Sequence, residues 1–174
     1  VVKVLLRKLL PQLIWNKDAA MIKDKFLYML ATWFGCGLMK KAPGTWGTLG
    51  AMPFGIGLLY LGGAPLLLAC AILLFFVGYV AAHFYEQKTG THDSGAIVID
   101  EVVGVWLTLC VAHFSLISFI LAFALFRFFD ILKPWPIKWA DDKIPGAWGV
   151  MIDDVIAGIF AAIILIGIQN VIFA

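Results

Sequence analysis

Residues 65–85 read PLLLACAILLFFVGYVAAHFY, an apolar run without a single Lys, Arg, Asp or Glu. A helix needs about 20 such residues to cross the hydrocarbon core of a bilayer, and this stretch meets that length. Its neighbours extend the pattern. Thr45–Leu61 precedes it, entered through Pro43-Gly44-Thr45 and holding several glycines and Pro53, which predicts close packing and a kink. Ile97–Ala112 and Leu116–Phe129 follow as a tight helical hairpin, and Val150–Phe173 closes the set. The breaks fall at Gly62-Gly63, Glu86–Gly95, near His113 and at Lys133–Gly149. Phe26–Met39 is short and weakened by Gly35 and Gly37, so it reads as a re-entrant or interfacial segment. Residues 1–25 place Leu5, Leu6, Leu9, Leu10, Leu13 and Ile14 at helical spacing among Lys3, Arg7, Lys8 and Lys17. That is the pattern of an amphipathic helix in the headgroup region. It does not read as a secretory leader, because no apolar core and small-residue cleavage site follow directly. The expected fold is all-α, a polytopic membrane helical bundle of about four to five spans plus the N-terminal interfacial helix, in one domain over 1–174.

Composition agrees with a lipid environment. Mean hydropathy is +0.98, with 63% hydrophobic and 14% charged residues, well outside the soluble range. A net charge of +2 with scattered bases excludes nucleic-acid binding as a main role. Cys36, Cys70 and Cys110 are isolated, with neither CxxC nor metal spacing, and read as packing residues.

Threading the runs alternately through a bilayer puts every charge on one side. The thirteen Lys and Arg fall in the N-terminal segment, the Glu86–Gly95 loop, or between Arg127 and Lys143. The opposite turns, Leu61–Ala64 and Ala112–Ser115, carry none, so the charged side is assigned as cytoplasmic. The eleven acids share that side, although Asp and Glu contribute little to topology. Chemistry at one membrane surface is the simplest reason for them to be there.

Two segments repeat one design. Ile97-Val98-Ile99-Asp100-Glu101-Val102-Val103-Gly104 and Val150-Met151-Ile152-Asp153-Asp154-Val155-Ile156-Ala157-Gly158 each open a span with a doubled acid. Gly104 lies four residues after Asp100 and Gly158 four after Asp154, so on each helix an acid and a glycine share a face where a second backbone can approach. The acids could simply complement the helix dipoles, each worth about 0.3–1 kcal/mol. Alternatively they converge on a divalent cation, since hard oxygen ligands suit Mg²⁺ and carboxylates at membrane depth are costly unless paired or metal-bound. Doubled acids on both helices exceed what capping needs, which favours the cation. Arg127, Asp130 and Lys133 follow at i, i+3 and i+6, and Pro134 disfavours helical geometry at Lys133. The bases could merely snorkel, but the acid between them suits a metal ligand or a phosphate-site organiser. Gly44, Thr45, Gly47 and Thr48 at a helix N-terminus offer N–H groups and hydroxyls for an anion, or else a plain cap at Thr45. His92-Asp93 is a candidate base or ligand, and Asp141 a candidate supporting partner.

These strings, with Pro43-Gly44-Thr45-Trp46-Gly47-Thr48-Leu49 and Phe126-Arg127-Phe128-Phe129-Asp130-Ile131-Leu132-Lys133-Pro134-Trp135-Pro136-Ile137, resemble the phosphatidylglycerophosphatase A family from about Ala31 to Gly158. The resemblance implies a bacterial inner-membrane, Mg²⁺-dependent lipid phosphatase that converts phosphatidylglycerophosphate to phosphatidylglycerol, with its active site toward the cytoplasm. It implies functional counterparts of Thr45, His92, Asp93, Asp100, Glu101, Arg127, Asp130, Lys133, Asp141, Asp153 and Asp154. On this reading Asp100, Glu101, Asp130, Asp153 and Asp154 hold one or two Mg²⁺ ions, while Arg127, Lys133, Thr45 and Thr48 bind the substrate phosphate. A cation-coupled transporter or channel using the same carboxylates is the main rival, and a non-catalytic assembly subunit the second. Oligomeric state is not readable from the sequence.

Overall fold

A computed structural model describes residues 20–91 and 94–172. Most of the amphipathic segment expected over 1–25, together with His92 and Asp93, lies outside them. Every regular element among the described residues is helical: α1 over residues 20–31, a 3₁₀ turn at Cys36–Leu38, α2 (Pro43–Thr89), α3 (Ile99–Leu109), α4 (Leu116–Leu132), α5 (Ile137–Lys143) and α6 (Ala147–Ile172). By length and composition, α2 and α6 are apolar enough to cross a membrane. Large apolar side chains cover much of the exterior, among them Tyr60, Leu73, Ile163 and Val171. Soluble proteins rarely expose contiguous apolar surface on that scale, and the chain is suited to membrane association.

The 47-residue α2 is a hairpin. Gly63 (φ 66, ψ −168) is its one non-helical residue, a conformation open mainly to glycine. A Cβ added at Gly47, in the first half, would lie 2.6 Å from Val98 Cβ, and one at Gly78, in the second, 3.0 Å from Ile99. Both halves therefore meet the start of α3. Near its other end, Gly55 lies against Leu109 and Trp106, and the Cys110 Sγ points to the Ala64 carbonyl at 4.0 Å. The break expected at Gly62-Gly63 is thus a true reversal, although helical bonding runs on either side of it.

The 11-residue α3 is the centre of the bundle. Nearly all of α3 is buried, against α2 on one side and α6 on the other, while α4 and α5 pack on α6. Past its two acids α3 is almost wholly apolar, which suits a helix enclosed on several sides. The α3–α6 crossing is backbone against backbone: a Cβ on Gly158 would stand 2.4 Å from the Gly104 carbonyl oxygen. Thr108 Oγ1 bonds both the Gly104 and Gly158 carbonyls at 3.1 Å. Trp106 Nε1 donates to Ala51 O at 3.0 Å and ties α3 to α2.

The helix ends differ in chemistry. Away from the acids, the amide nitrogen of buried Gln169 donates to Val111 O at 3.0 Å and its oxygen accepts from the His113 backbone N–H at 2.6 Å. At the acidic end, α2 starts at Ala42 in left-handed geometry with Pro43 in the first turn, where its missing N–H costs nothing. Thr45 therefore lies one turn inside the helix, and Ala42 takes the cap position assigned to it. Segment 26–39 is α-helical only to residue 31, then turns through Trp33, Phe34 and Gly35, all at positive φ, into the 3₁₀ turn at Cys36–Leu38. The Ala31 carbonyl accepts from Val98 N–H at 2.9 Å, just before α3 begins.

This packing distinguishes two glycines of one helix. Gly158→Ala should destabilise the protein by about 1–3 kcal/mol through overpacking. Gly167→Ala, which meets nothing within 4 Å, should be neutral or gain up to about 1 kcal/mol in helix propensity. Thermal unfolding in detergent reads both, and equal effects would contradict the backbone crossing.

Candidate active site

Four helix ends meet around one cavity of about 240 Å³. Its wall carries Asp100 and Glu101 from α3, Arg127 and Asp130 from α4, Lys133 just beyond α4, and Asp153 and Asp154 from α6. Pro43 and Gly44, Ser94 and Gly95, Ile97, Ile131 and Val150 complete it. The close crossing at Gly104 and Gly158, four residues beyond the acids, holds the two doubled-acid segments side by side.

The segments share their local geometry as well as their sequence. Asp100 Oδ1 accepts from Glu101 N–H and Asp153 Oδ1 from Asp154 N–H, each at 3.0 Å. Asp100, Asp153 and Asp154 are buried at 8%, 4% and 3% exposure. Glu101 turns toward the start of α2. A Cβ on Gly44 would lie 1.9 Å from its Oε1 and one on Gly47 2.6 Å from its Oε2, so only glycine lets this carboxylate rest on the helix backbone. Arg127 Nη1 donates to Glu101 Oε1 at 3.1 Å and also pairs with Asp130. Lys133 ends α4 in left-handed geometry (φ 41, ψ 56), which turns its ammonium back to α6. There Nζ meets Asp153 Oδ2 at 2.6 Å and Asp141 Oδ1 at 2.9 Å. Burial alone would lower the Lys133 pKa, but the hydrogen bonds and charges of Asp153 and Asp141 hold it above its usual value. The side chain stays protonated and keeps a positive charge in the cavity wall.

Five carboxylates face two bases in this cavity. With all five ionised, any anion entering the cavity meets net repulsion unless further positive charge is present. Among the described residues, no three acidic, His or Cys side chains already stand at the spacing of a formed metal site. Glu101, Asp130 and Asp153 are tied to Arg127 or Lys133 instead. Two oxygens nevertheless stand ready: Glu101 Oε2 and Asp154 Oδ2 are buried without a hydrogen-bond partner, a state that is costly for a carboxylate. The donor set is wholly hard oxygen, which fits Mg²⁺.

Of the residues singled out in sequence, Asp100, Glu101, Arg127, Asp130, Lys133, Asp153 and Asp154 come together here. Asp141 supports Lys133 from outside the cavity wall. Thr48 is buried and returns its hydroxyl to Gly44 O at 3.0 Å, and neither Thr48 nor Thr45 lines the cavity. His92 and Asp93 lie outside the described residues; Ser94 and Gly95 line the cavity. Gly44 and Gly47 serve as the seat of Glu101. Their small-xx-small spacing signals a close helix approach, though not its partner.

Comparison with known proteins gives a consistent picture. The family model for Phosphatidylglycerophosphatase A matches residues 29–169. The phosphatidylglycerophosphatase A of Haemophilus influenzae is 44% identical over 144 residues, covering 82% of this chain and 88% of the relative. That of Escherichia coli is 39% identical over 156 residues, covering 86% and 89%. A Bacteroides thetaiotaomicron relative, 38% identical over 147 residues (79% and 89%), is named provisionally as a phosphatidylinositol-3-phosphatase. No solved structure matches the chain.

The two partners of Lys133 should separate on substitution. Asp153→Asn, in the cavity wall, should reduce turnover to background, whereas Asp141→Asn, which only steadies Lys133, should lose on the order of 10-fold. Phosphate release by the purified variants measures this, and an equal loss in both would remove the distinction.

Proposed function

The chain belongs to the phosphatidylglycerophosphatase A family, and we propose that it hydrolyses phosphatidylglycerophosphate to phosphatidylglycerol and phosphate. The enzyme is a phosphoric monoester hydrolase, and its relatives supply the name of the lipid. The observation that carries the reading is the cavity itself, where buried acids from two helices and bases from a third meet at one end of an apolar bundle.

Arg127 and Lys133 donate to the non-bridging phosphate oxygens, the guanidinium as a planar fork and the ammonium as a point charge. Glu101 and Asp130 fix Arg127, and Asp153 and Asp141 fix Lys133, so both donors are oriented before the substrate arrives. Asp100, Glu101, Asp130, Asp153 and Asp154 supply the oxygens that would hold one or two Mg²⁺ ions. When bound, Mg²⁺ would neutralise phosphate charge and lower the pKa of a coordinated water. Asp154 Oδ2 is the unpartnered acceptor that orients the attacking water and receives its proton, while Glu101 rests on the start of α2 and holds Arg127. Water is the favoured nucleophile over an aspartate, because the acids already serve as ligands or as partners of bases.

Five membrane passes follow from this reading: the two halves of α2, then α3, α4 and α6. The distribution of Lys and Arg supports a cytoplasmic active site in a bacterial inner membrane. A transport path through the same carboxylates would need access from both ends. The Gln169 stitches and apolar packing at the far end support surface chemistry instead.

Purified protein in mixed micelles should release phosphate from phosphatidylglycerophosphate faster than from phosphatidylinositol 3-phosphate. Release should require added Mg²⁺, stop with chelator, and be lost in Asp100→Asn and Asp154→Asn variants that melt as the parent does. No release from the first lipid, or the reverse preference, would overturn the substrate. Release indifferent to chelator would overturn the cation.

A further inference from the structure

The cavity rim has two chemistries. Ser94 and the exposed Gly95 form one part, on the polar loop between α2 and α3. Pro43 and Ile131 form another. Ile131 is 66% exposed, and among the described residues it is the one exposed large apolar side chain that also lines the cavity. At this residue the outer apolar surface and the charged interior share a single side chain.

A continuous track leads to it. Ile117, Ile120, Ala124, Phe128 and Ile131 are all exposed and follow one another at three- and four-residue spacing, so they form a stripe along one face of α4. The stripe covers 14 residue steps, roughly 21 Å at about 1.5 Å per residue. Exposed Ala124 between Ile120 and Phe128 leaves a notch where a larger side chain would close it. Arg127, seven residues after Ile120 and four before Ile131, lies at the edge of the same face and turns inward to Glu101. A molecule lying along the stripe thus has its inner end beside a buried guanidinium.

We infer that this face of α4 seats one acyl chain of the phospholipid substrate, with Ile131 as the lip where chain and head group part. The inference rests on the lipid phosphatase reading above and adds the side from which the lipid enters. The chain stays in the hydrocarbon along Ile117–Phe128, while the phosphomonoester bends over Ile131 toward Arg127 and Lys133. Water enters and free phosphate leaves by the Ser94–Gly95 rim. Other exposed apolar residues, such as Ile163 on α6, touch bulk lipid only and have no part in selection.

The test varies the mole fraction of long-chain diacyl phosphatidylglycerophosphate in detergent micelles. Ile131→Trp narrows the lip, and Ala124→Trp fills the notch about 10 Å from the lip along the helix. Both should raise KM about tenfold with kcat within twofold, the signature of lost ground-state binding. Ile131→Leu should restore the parent KM, and Ile163→Trp should leave it unchanged. Should Ile131→Trp fail to fold, Ala124→Trp carries the test alone. Unchanged KM in Ala124→Trp, or a fall in kcat at constant KM, overturns the seat. A parent protein that releases no phosphate from this lipid overturns the phosphatase reading instead.

Discussion

Everything in this molecule depends on how closely α3 and α6 approach. Gly104 and Gly158 let two backbones touch, and Thr108 bonds a carbonyl of each helix. Small residues do this in lipid because apolar side chains gain little there by leaving solvent, and packing and hydrogen bonds must hold helices together. One turn toward the charged end, the same approach brings Asp100, Asp153 and Asp154 into one buried group. Stability and chemistry therefore have a common origin. The contact that closes the bundle also confines the carboxylates.

Such a group is unfavourable by itself. Removing carboxylates from water is expensive, and pairing compensates only when geometry and further hydrogen bonds are good. The protein compensates in part. Arg127 bridges Glu101 and Asp130, and Lys133 bridges Asp153 and Asp141. Negative charge remains in excess, and two oxygens lack partners. That excess of carboxylate is what the proposed Mg²⁺ would offset.

The parts of this arrangement legible in the sequence were those with a local signature. The doubled acids with glycine four residues on announced a crossing, and Pro134 announced that Lys133 would leave the helix. Gly63 announced the reversal of α2. What was not legible depends on partners distant in the chain. Gly44 and Gly47 suggested an anion loop, yet they seat Glu101, more than fifty residues away. Thr45 and Thr48 looked like ligands because hydroxyls at a helix start often are, but Thr48 satisfies its own helix. Ile131 lay just past the expected span Leu116–Phe129 and carried no signal of its own. Its double role required knowing that α4 faces the cavity on one side and the exterior on the other.

The backbone of Lys133 carries a final implication. Left-handed geometry is unfavourable for a side chain as bulky as lysine and comfortable for glycine. The fold nonetheless keeps lysine there, held by carboxylates of α5 and α6. A laboratory selection for heat tolerance alone would be drawn to replace it with glycine, which has no Cβ to strain in that turn. The resulting protein would be easier to purify and worse at its work, a trade-off confined to one residue.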